Sequence, residues 1–166
     1  MKGIKPTILI LLAHYLPGYK CGGPIRTIAN LVDHLGDEFD FKIITSDRDM
    51  LDTEPFPAVQ VDEWNIVGKA AVFYGSPKRV SFRNLARLVS ETPHDLLYIN
   101  SFFSDRFSIF PLLARRLGMI PKKPVVLAPR GEFSRGALSI KRVKKYAFLS
   151  AAKLLGLHRD LLWQAS

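Results

Sequence analysis

The sequence predicts an α/β protein built on one parallel sheet with helices on both faces, and three observations lead to this fold class. Continuous apolar runs, as in residues 7–13 and 124–128, are typical of strands buried on both faces of a parallel sheet. Segments with apolar residues at helical spacing alternate with these runs along the chain. The length of 166 residues suits a single domain spanning 1–166, which can bury about 70% of the surface of its unfolded chain.

The first elements predict a βαβ unit. The strand over 7–13 leads into a loop over 14–23, and Pro24 opens a helix whose apolar positions recur at helical spacing until Gly36. Proline at the start of a helix and glycine just past its end are the usual boundary residues. A second apolar run over 41–45 completes the unit with a strand.

The rest of the chain continues the alternation of strands and helices. Apolar runs over 61–67 and 70–74 predict a hairpin or edge strands. The later elements are predicted as a helix over 82–89 before Pro93, a strand over 95–99, a helix over 111–117 closed by Gly118, a strand over 124–128, a long helix over about 139–155 and the start of a strand within 160–165.

Charge distribution and cysteine content narrow the class of protein. Residues 1–100 carry a net charge of −1 and residues 101–166 one of +10, which together make the total of +9. This asymmetry favours an anionic partner such as nucleic acid, acidic lipid or a phosphate-bearing ligand. The single Cys21 excludes an internal disulfide and a multi-cysteine zinc site. We predict neither a signal peptide nor a spanning helix, and we expect a cytoplasmic location.

The loop before the first helix carries two candidate binding residues, Gly22 and Gly23. Ligands of open α/β sheets gather at the carboxyl ends of the strands, and a helix N-terminus there favours an anion. The spacing Gly-x-x-x-Gly-Gly departs from the dinucleotide fingerprint Gly-x-Gly-x-x-Gly, and Pro24 removes one N–H donor. A Rossmann-type dinucleotide site with Asp47 as its ribose-binding acid therefore stays an alternative, as does a strand-to-helix turn without a ligand.

Two later loops carry four more candidate binding residues. Asn100 and Ser101 follow the strand over 95–99, where they could bond a hydroxyl-rich ligand or serve only in turn or cap chemistry. Arg130 and Glu132 follow the next strand; the guanidinium suits a phosphate or carboxylate, and the alternative is a surface ion pair between the two residues. The four histidines share no ligand spacing, so no metal site is predicted and no residue is assigned a catalytic role.

These loops contain three longer motifs: His14-Tyr-Leu-Pro-Gly-Tyr-Lys-Cys-Gly-Gly-Pro-Ile-Arg-Thr27, Tyr98-Ile-Asn-Ser-Phe-Phe-Ser104 and Ala128-Pro-Arg-Gly-Glu-Phe133. Together with the lysine-rich helix behind the last motif, they resemble the amino-terminal half of retaining glycosyltransferases of family 4. Their order and their positions at strand ends match that family, and the resemblance covers essentially the whole chain. It departs from the family where many members carry a cleft histidine and this chain has Asn100.

The resemblance implies a GT-B architecture, in which two Rossmann-like domains face each other across a cleft and this chain is the acceptor-side domain. It implies that the two glycines lie near the donor phosphates, that Asn100 and Ser101 face the acceptor, and that Arg130 and Glu132 shape the same cleft. The reaction would transfer a sugar from a nucleotide-sugar donor to a hydroxyl or lipid-linked sugar acceptor with retention and without a cofactor. The family's Glu-x7-Glu motif and nucleotide-binding domain belong to a carboxyl-terminal half, so we expect the 166-residue chain alone to be inactive.

The basic residues of the long helix predict that the protein contacts the inner face of an anionic membrane. On a helical wheel, the apolar residues expected to pack on the sheet are Ile140, Val143, Ala147, Ala151 and Leu154. The residues predicted to face the membrane are Lys141, Arg142, Lys145, Phe148 and Leu149, because cations beside apolar side chains suit lipid headgroups. A solvated basic face is the alternative. A nucleic-acid-binding module would fit the charge, but no recognised motif accompanies it and no nucleic-acid partner is expected.

Overall fold

The computed structural model of the protein describes residues 5–139 and 142–165. The strands in these ranges are β1 (Thr7–Leu11), β2 (Asp40–Ser46), β3 (Trp64–Val67), β4 (Ala70–Gly75), β5 (Leu96–Ile99), β6 (Val125–Leu127) and β7 (Leu162–Trp163). The helices are α1 (Gly23–Leu35), α2 (Phe82–Glu91), α3 (Phe110–Arg116), α4 (Arg135–Ser139) and α5 (Arg142–Leu154). A π-helical turn at Asp105–Ile109 precedes α3, and a 3₁₀ turn at Arg130–Phe133 follows β6.

The strands form a single sheet in the order β3-β4-β2-β1-β5-β6-β7. All neighbours are parallel except β3 and β4, which make the predicted hairpin and leave β3 at one edge. The central strand β1 is apolar at every position but its first, so it can be covered on both faces. The predicted fold class, α/β with a Rossmann-like parallel sheet flanked by helices, is confirmed.

Helices cover both faces of this sheet and give the domain two cores. On one face, the stripe of Ile25, Ile28 and Val32 on α1 packs against residues of β1, β2 and β4. On the other face, the apolar sides of α2 and α3 pack against the alternate residues of the same strands and of β5 and β6. The period of two in the strands and of 3.6 in the helices produces this division.

The predicted orientation of the long basic helix is wrong. Phe148 and Leu149 on α5 pack against the core instead of facing outward, and Ala152 is buried. The Lys145 ammonium also turns inward: it donates to the Ala137 carbonyl over 2.7 Å and lies 4.8 Å from the centre of the Phe103 ring. Phenylalanine and leucine side chains bury more apolar area than valine and alanine. The face of α5 with Phe148 and Leu149 therefore packs against the core.

The face expected to pack on the sheet is the exposed one. Val143 is 85% exposed and Leu154 88% exposed, and Ala147 and Ala151 between them also lie on the surface. Of the predicted membrane-facing cations, Arg142 is exposed, whereas Lys141, like Ile140, lies outside the described residues. In the described ranges no helix is long and apolar enough to cross a membrane.

Candidate functional site

The candidate site lies where the strand order of the sheet reverses. From β1 the chain first runs outward to β2 and β4, and it then returns to the other side of β1 with β5 and β6. The loops after β1 and β5 therefore diverge and leave a crevice at their carboxyl ends, which is the usual ligand position in an open parallel sheet. A cavity of about 160 Å³ occupies this place. Its walls are Leu12, Ala13, His14, Cys21, Pro24, Asn100, Ser101, Arg130 and Glu132.

Arg130 is bonded to two polar groups of β5 and the loop after it. Its Nε donates to Asn100 Oδ1 over 2.6 Å, and its Nη2 donates to the Tyr98 hydroxyl over 2.9 Å. The Tyr98 hydroxyl donates in turn to Gln164 Oε1 over 2.6 Å. Burial raises the pKa of Tyr98, and the nearby Arg130 charge partly opposes this. The guanidinium is thereby held in one orientation at the wall of the cavity.

The backbone of Arg130 is in the left-handed region, with φ of 55°. For an L-residue other than glycine, asparagine or aspartate this conformation is unfavourable by roughly 1–2 kcal/mol. Such strain persists only where the surroundings fix it, and it concentrates at functional sites. Here the two hydrogen bonds of the guanidinium provide that constraint, so the sequence retains an arginine where glycine would fit more easily.

Asn100 is 4% exposed, and its two amide atoms are in different situations. The oxygen accepts the Arg130 bond, whereas Nδ2 is buried and finds no hydrogen-bond partner among the residues that the structure describes. An unsatisfied buried donor costs about 1–3 kcal/mol, and native structures rarely leave one without a reason. Since Asn100 lines the cavity, an oxygen-bearing ligand there would supply the missing acceptor.

Glu132 and Ser101 connect the loop after β5 with the turn after β6. The Ser101 hydroxyl donates to Glu132 Oε1 over 3.0 Å, and the backbone N–H groups of Phe102 and Phe103 donate to Glu132 Oε2. The Ser101 hydroxyl also accepts the Ser104 N–H, so the turn chemistry considered for Ser101 is present. The alternative of an Arg130–Glu132 ion pair is wrong, because each side chain bonds other groups and the described residues form no such pair.

Gly22 and Gly23 lie beside the cavity, although the neighbouring Cys21 and Pro24 form its wall. Gly22 has φ of 55° and caps α1 without a side-chain hydrogen bond, so the first turn of the helix is open at this end. A Cβ added at either glycine would meet no atom within 4 Å. An anion bound at α1 would need this free space and the N–H groups of the first turn, which no capping side chain of the described residues occupies.

The carboxylate of Asp47, the candidate ribose-binding acid of a dinucleotide site, is already bonded to a neighbouring side chain. Asp47 is 1% exposed, and its carboxylate accepts two hydrogen bonds from Arg48, over 2.7 and 2.9 Å. A ribose hydroxyl would have to displace this fork. The bonding of Asp47 to Arg48 therefore disfavours the alternative of a dinucleotide site, for which Asp47 was the candidate ribose-binding residue.

Asp49 is an organising residue that sequence reasoning missed. Its buried carboxylate accepts N–H groups of Tyr19 and Lys20, over 2.8 and 3.1 Å, and of Met50 over 2.8 Å. Burial raises the pKa of Asp49, but these three donors and the nearby His14 outweigh it, so the pKa lies below its ordinary value of 3.8. The pattern Asp47-Arg-Asp49 after a strand was the available signal, since buried carboxylates there have to find backbone donors.

A second cavity of about 440 Å³ adjoins Arg130 on the side of α1. It is lined by Thr27, Asn30, Leu31, His34, Leu35, Tyr98, Arg130 and Gln164. Arg130 thus borders both cavities. Comparisons with protein-family models, with curated proteins and with solved structures give no match to this chain.

Proposed function

We propose that this chain is the acceptor-side domain of a glycosyltransferase that uses a nucleotide-sugar donor. The observation that carries the proposal is the unpartnered amide of Asn100 in the cavity at the strand reversal, next to the strained Arg130. A buried N–H donor, a guanidinium and an open helix end form a site for an oxygen-rich, anionic group, which suits the diphosphate and sugar hydroxyls of such a donor.

In this proposal the residues have distinct roles. Arg130 and the first turn of α1, beyond Gly22 and Gly23, would stabilise charge on the departing diphosphate. Asn100 would bind a sugar hydroxyl, and Glu132 with Ser101 would keep the loop after β5 in place. The acceptor would enter from the cavity along α1 that Arg130 also borders. The carboxyl-terminal half implied by the resemblance would supply most contacts to the nucleotide.

A peripheral membrane contact belongs to the same proposal, through a different face than the sequence predicts. The outward side of α5 carries Val143, Ala147, Ala151 and Leu154, and exposed cations flank this stripe: Arg142, Lys144 and Lys153. An apolar stripe between cations suits the headgroup region of an anionic leaflet. A lipid-linked sugar acceptor would then be presented to a domain already at the membrane surface.

The test of the proposed function is an NMR titration of the ¹⁵N-labelled chain with UDP, with pyrophosphate and with NADH. We expect UDP and pyrophosphate to bind with a Kd on the order of 1 mM, because only one side of the cleft is present. The shifted amide signals should be those near Gly22, Gly23, Asn100 and Gly131. Arg130→Ala should abolish the shifts, whereas Arg135→Ala, an exposed arginine on α4, should leave them unchanged.

Two outcomes would contradict the proposal. A submicromolar Kd for UDP would mean that this domain holds the nucleotide by itself. Binding of NADH in preference to UDP would restore the dinucleotide alternative. A gel shift with nucleic acid is tested in parallel. A salt-sensitive shift would favour the alternative of a nucleic-acid-binding module, which the positive charge of residues 101–166 also fits.

A further inference from the structure

Three side chains with metal-binding atoms come together: His14, Cys21 and Asp49. His14 and Cys21 line the first cavity. The three side chains come from the loop after β1 and the loop after β2, so their spacing along the chain gives no sign of the cluster. Their ligand atoms all lie within 4.8 Å of one another. An imidazole nitrogen, a thiolate sulfur and a carboxylate oxygen are the three ligand types that zinc accepts.

His14 is oriented as metal-binding histidines are. Its Nδ1 lies 3.1 Å from the Arg48 carbonyl oxygen, so Nδ1 carries the hydrogen and Nε2 keeps its lone pair. A hydrogen bond from the second ring nitrogen to a backbone carbonyl fixes both the tautomer and the ring plane of a ligand. The backbone around Arg48 thus supplies the outer support that such a ligand needs.

Asp49 is also held in place and keeps one free acceptor position. A carboxylate offers about four lone-pair sites. Among the described residues, Oδ2 accepts the N–H groups of Tyr19 and Lys20, while Oδ1 accepts that of Met50 alone. Oδ1 therefore retains a lone pair on a side chain whose orientation three hydrogen bonds already fix.

Cys21 is half-buried, and its Sγ contacts the Met50 thioether over 3.7 Å. A second observation concerns Asn100, which lines the cavity together with His14 and Cys21. Within the described part of the chain, its buried Nδ2 has no hydrogen-bond partner. Three protein ligands leave one position of a tetrahedral ion open, and an oxygen ligand in that position would give the amide its acceptor.

We propose that His14 Nε2, Cys21 Sγ and Asp49 Oδ1 form a three-ligand site for Zn²⁺ that is open toward the cavity. Binding replaces the thiol proton with the metal, and the proton passes to solvent. The fourth position would take water or an oxygen of an anionic ligand in the cavity. The inference does not depend on the glycosyltransferase proposal, because metal binding is measured without any sugar transfer.

The test uses Co²⁺ and Zn²⁺ on the reduced 166-residue chain. Co²⁺ should give a near-ultraviolet thiolate-to-cobalt charge-transfer band together with the visible bands of tetrahedral cobalt, and Zn²⁺ should displace both. Cys21 is the sole cysteine of the sequence, so its reaction with a chromogenic disulfide reports on this site alone, and Zn²⁺ should suppress that reaction. His14→Ala and Cys21→Ala should each weaken Zn²⁺ binding by at least about 100-fold, because loss of a direct ligand costs no less than loss of an outer-shell partner, which costs up to about 100-fold.

His34→Ala is the matched control. The His34 ring is exposed on α1, and its Nδ1 also faces a carbonyl, that of Asn30 at 2.8 Å. Among the described residues, however, His34 belongs to no group of three possible metal ligands. Equal loss of Zn²⁺ affinity in His34→Ala and His14→Ala would overturn the proposal. So would a cobalt spectrum without the thiolate band, or a thiol that reacts at the same rate with and without Zn²⁺ in the folded chain.

Discussion

Arg130 combines an unfavourable backbone conformation with two hydrogen bonds that hold the site together. Its φ of 55° belongs to the region that glycine occupies without penalty, while its guanidinium bonds Asn100 and Tyr98. The backbone and the side chain therefore act in opposite directions on stability. Two substitutions at this position separate the contributions.

We expect Arg130→Ala to destabilise the fold more than Arg130→Gly. Both leave the Asn100 oxygen and the Tyr98 hydroxyl without their donor, at about 1–3 kcal/mol. Only glycine relieves the left-handed backbone, so Arg130→Gly should be about 1 kcal/mol more stable than Arg130→Ala. Urea denaturation of the two variants measures this difference. Equal stability would show that the backbone at Arg130 is not strained in solution.

Among the elements, α5 departs most from the prediction for a reason visible on the helical wheel. Its 13 residues include two apolar faces. Phe148, Leu149 and Ala152 form the inward face, and Val143, Ala147, Ala151 and Leu154 form the outward face. A wheel shows which residues share a face but does not show which face the sheet receives. The rings of Phe102 and Phe103, about 6 Å from the Phe148 ring, decide the matter, and they come from a distant loop.

The outward face of α5 predicts a specific pattern of vesicle binding. Val143→Ser with Leu154→Ser should reduce co-sedimentation with anionic phosphatidylglycerol vesicles, because it removes the apolar stripe. Lys144→Glu with Lys153→Glu should reduce it as well, since each cation near an acidic leaflet contributes about 1 kcal/mol. The matched control is Lys122→Glu with Lys123→Glu, which changes the net charge equally on the exposed segment between α3 and β6.

Equal binding to neutral and anionic vesicles would count against this face, as would equal losses in the two charge variants. A change of oligomeric state in the Val143 and Leu154 double variant, seen by sedimentation, would instead indicate that the stripe joins two copies of the chain. The side chains of both residues are exposed, so the substitutions should leave the melting temperature close to that of the parent protein.

At the scale of the whole molecule, we expect His158 to make stability depend on pH. Its ring stacks on Phe102 with centres 4.5 Å apart, and its Nε2 is buried and has no partner among the described residues. Burial lowers the pKa of His158 below its ordinary value of 6.5. The unfolded chain therefore takes up a proton at a higher pH than the folded chain does. The free energy of unfolding should be highest above pH 6.5 and fall as the pH drops toward the folded pKa.

His158→Phe should keep the ring contact and remove this dependence. The slope that it abolishes is at most about 1.4 kcal/mol per pH unit for a single proton. Thermal or urea unfolding between pH 7 and pH 5, compared in the parent and the variant, measures it; these pH values bracket roughly the range in which a histidine titrates. Parallel curves for the two proteins would mean that His158 is not the group responsible.

The order of strands and helices could be predicted from local sequence patterns, namely apolar runs and boundary residues. Apolar runs predicted strands β1 to β6, and Pro24 and Gly36 marked the limits of α1. The strand ends marked Asn100, Ser101, Arg130 and Glu132 as candidate binding residues of two separate loops, and the structure brings these four to one cavity.

What could not be predicted depends on contacts between distant segments. The partners of Arg130 and Glu132 lie about 30 residues away, so a local ion pair was an equally good interpretation of the same letters. The meeting of Cys21 with Asp49 and the inward side of α5 also depend on contacts between segments distant in sequence. Cys21 and Asp49 lie in the loops after β1 and β2, and Phe148 of α5 contacts Phe102 and Phe103 of the loop after β5. The π-helical turn before α3 leaves no periodic signal in five residues.

Glu132 has a further consequence for how this site can change. Its carboxylate accepts hydrogen bonds from the Ser101 hydroxyl and from the N–H groups of Phe102 and Phe103. The segments after β5 and β6 therefore depend on each other and can be replaced only together. If only one of the two segments were replaced by that of another protein, either the carboxylate would lose its hydrogen-bond donors or the donors would lose their acceptor. A designer who wishes to alter specificity here must transplant both segments together, and natural recombination within this sheet is under the same restriction.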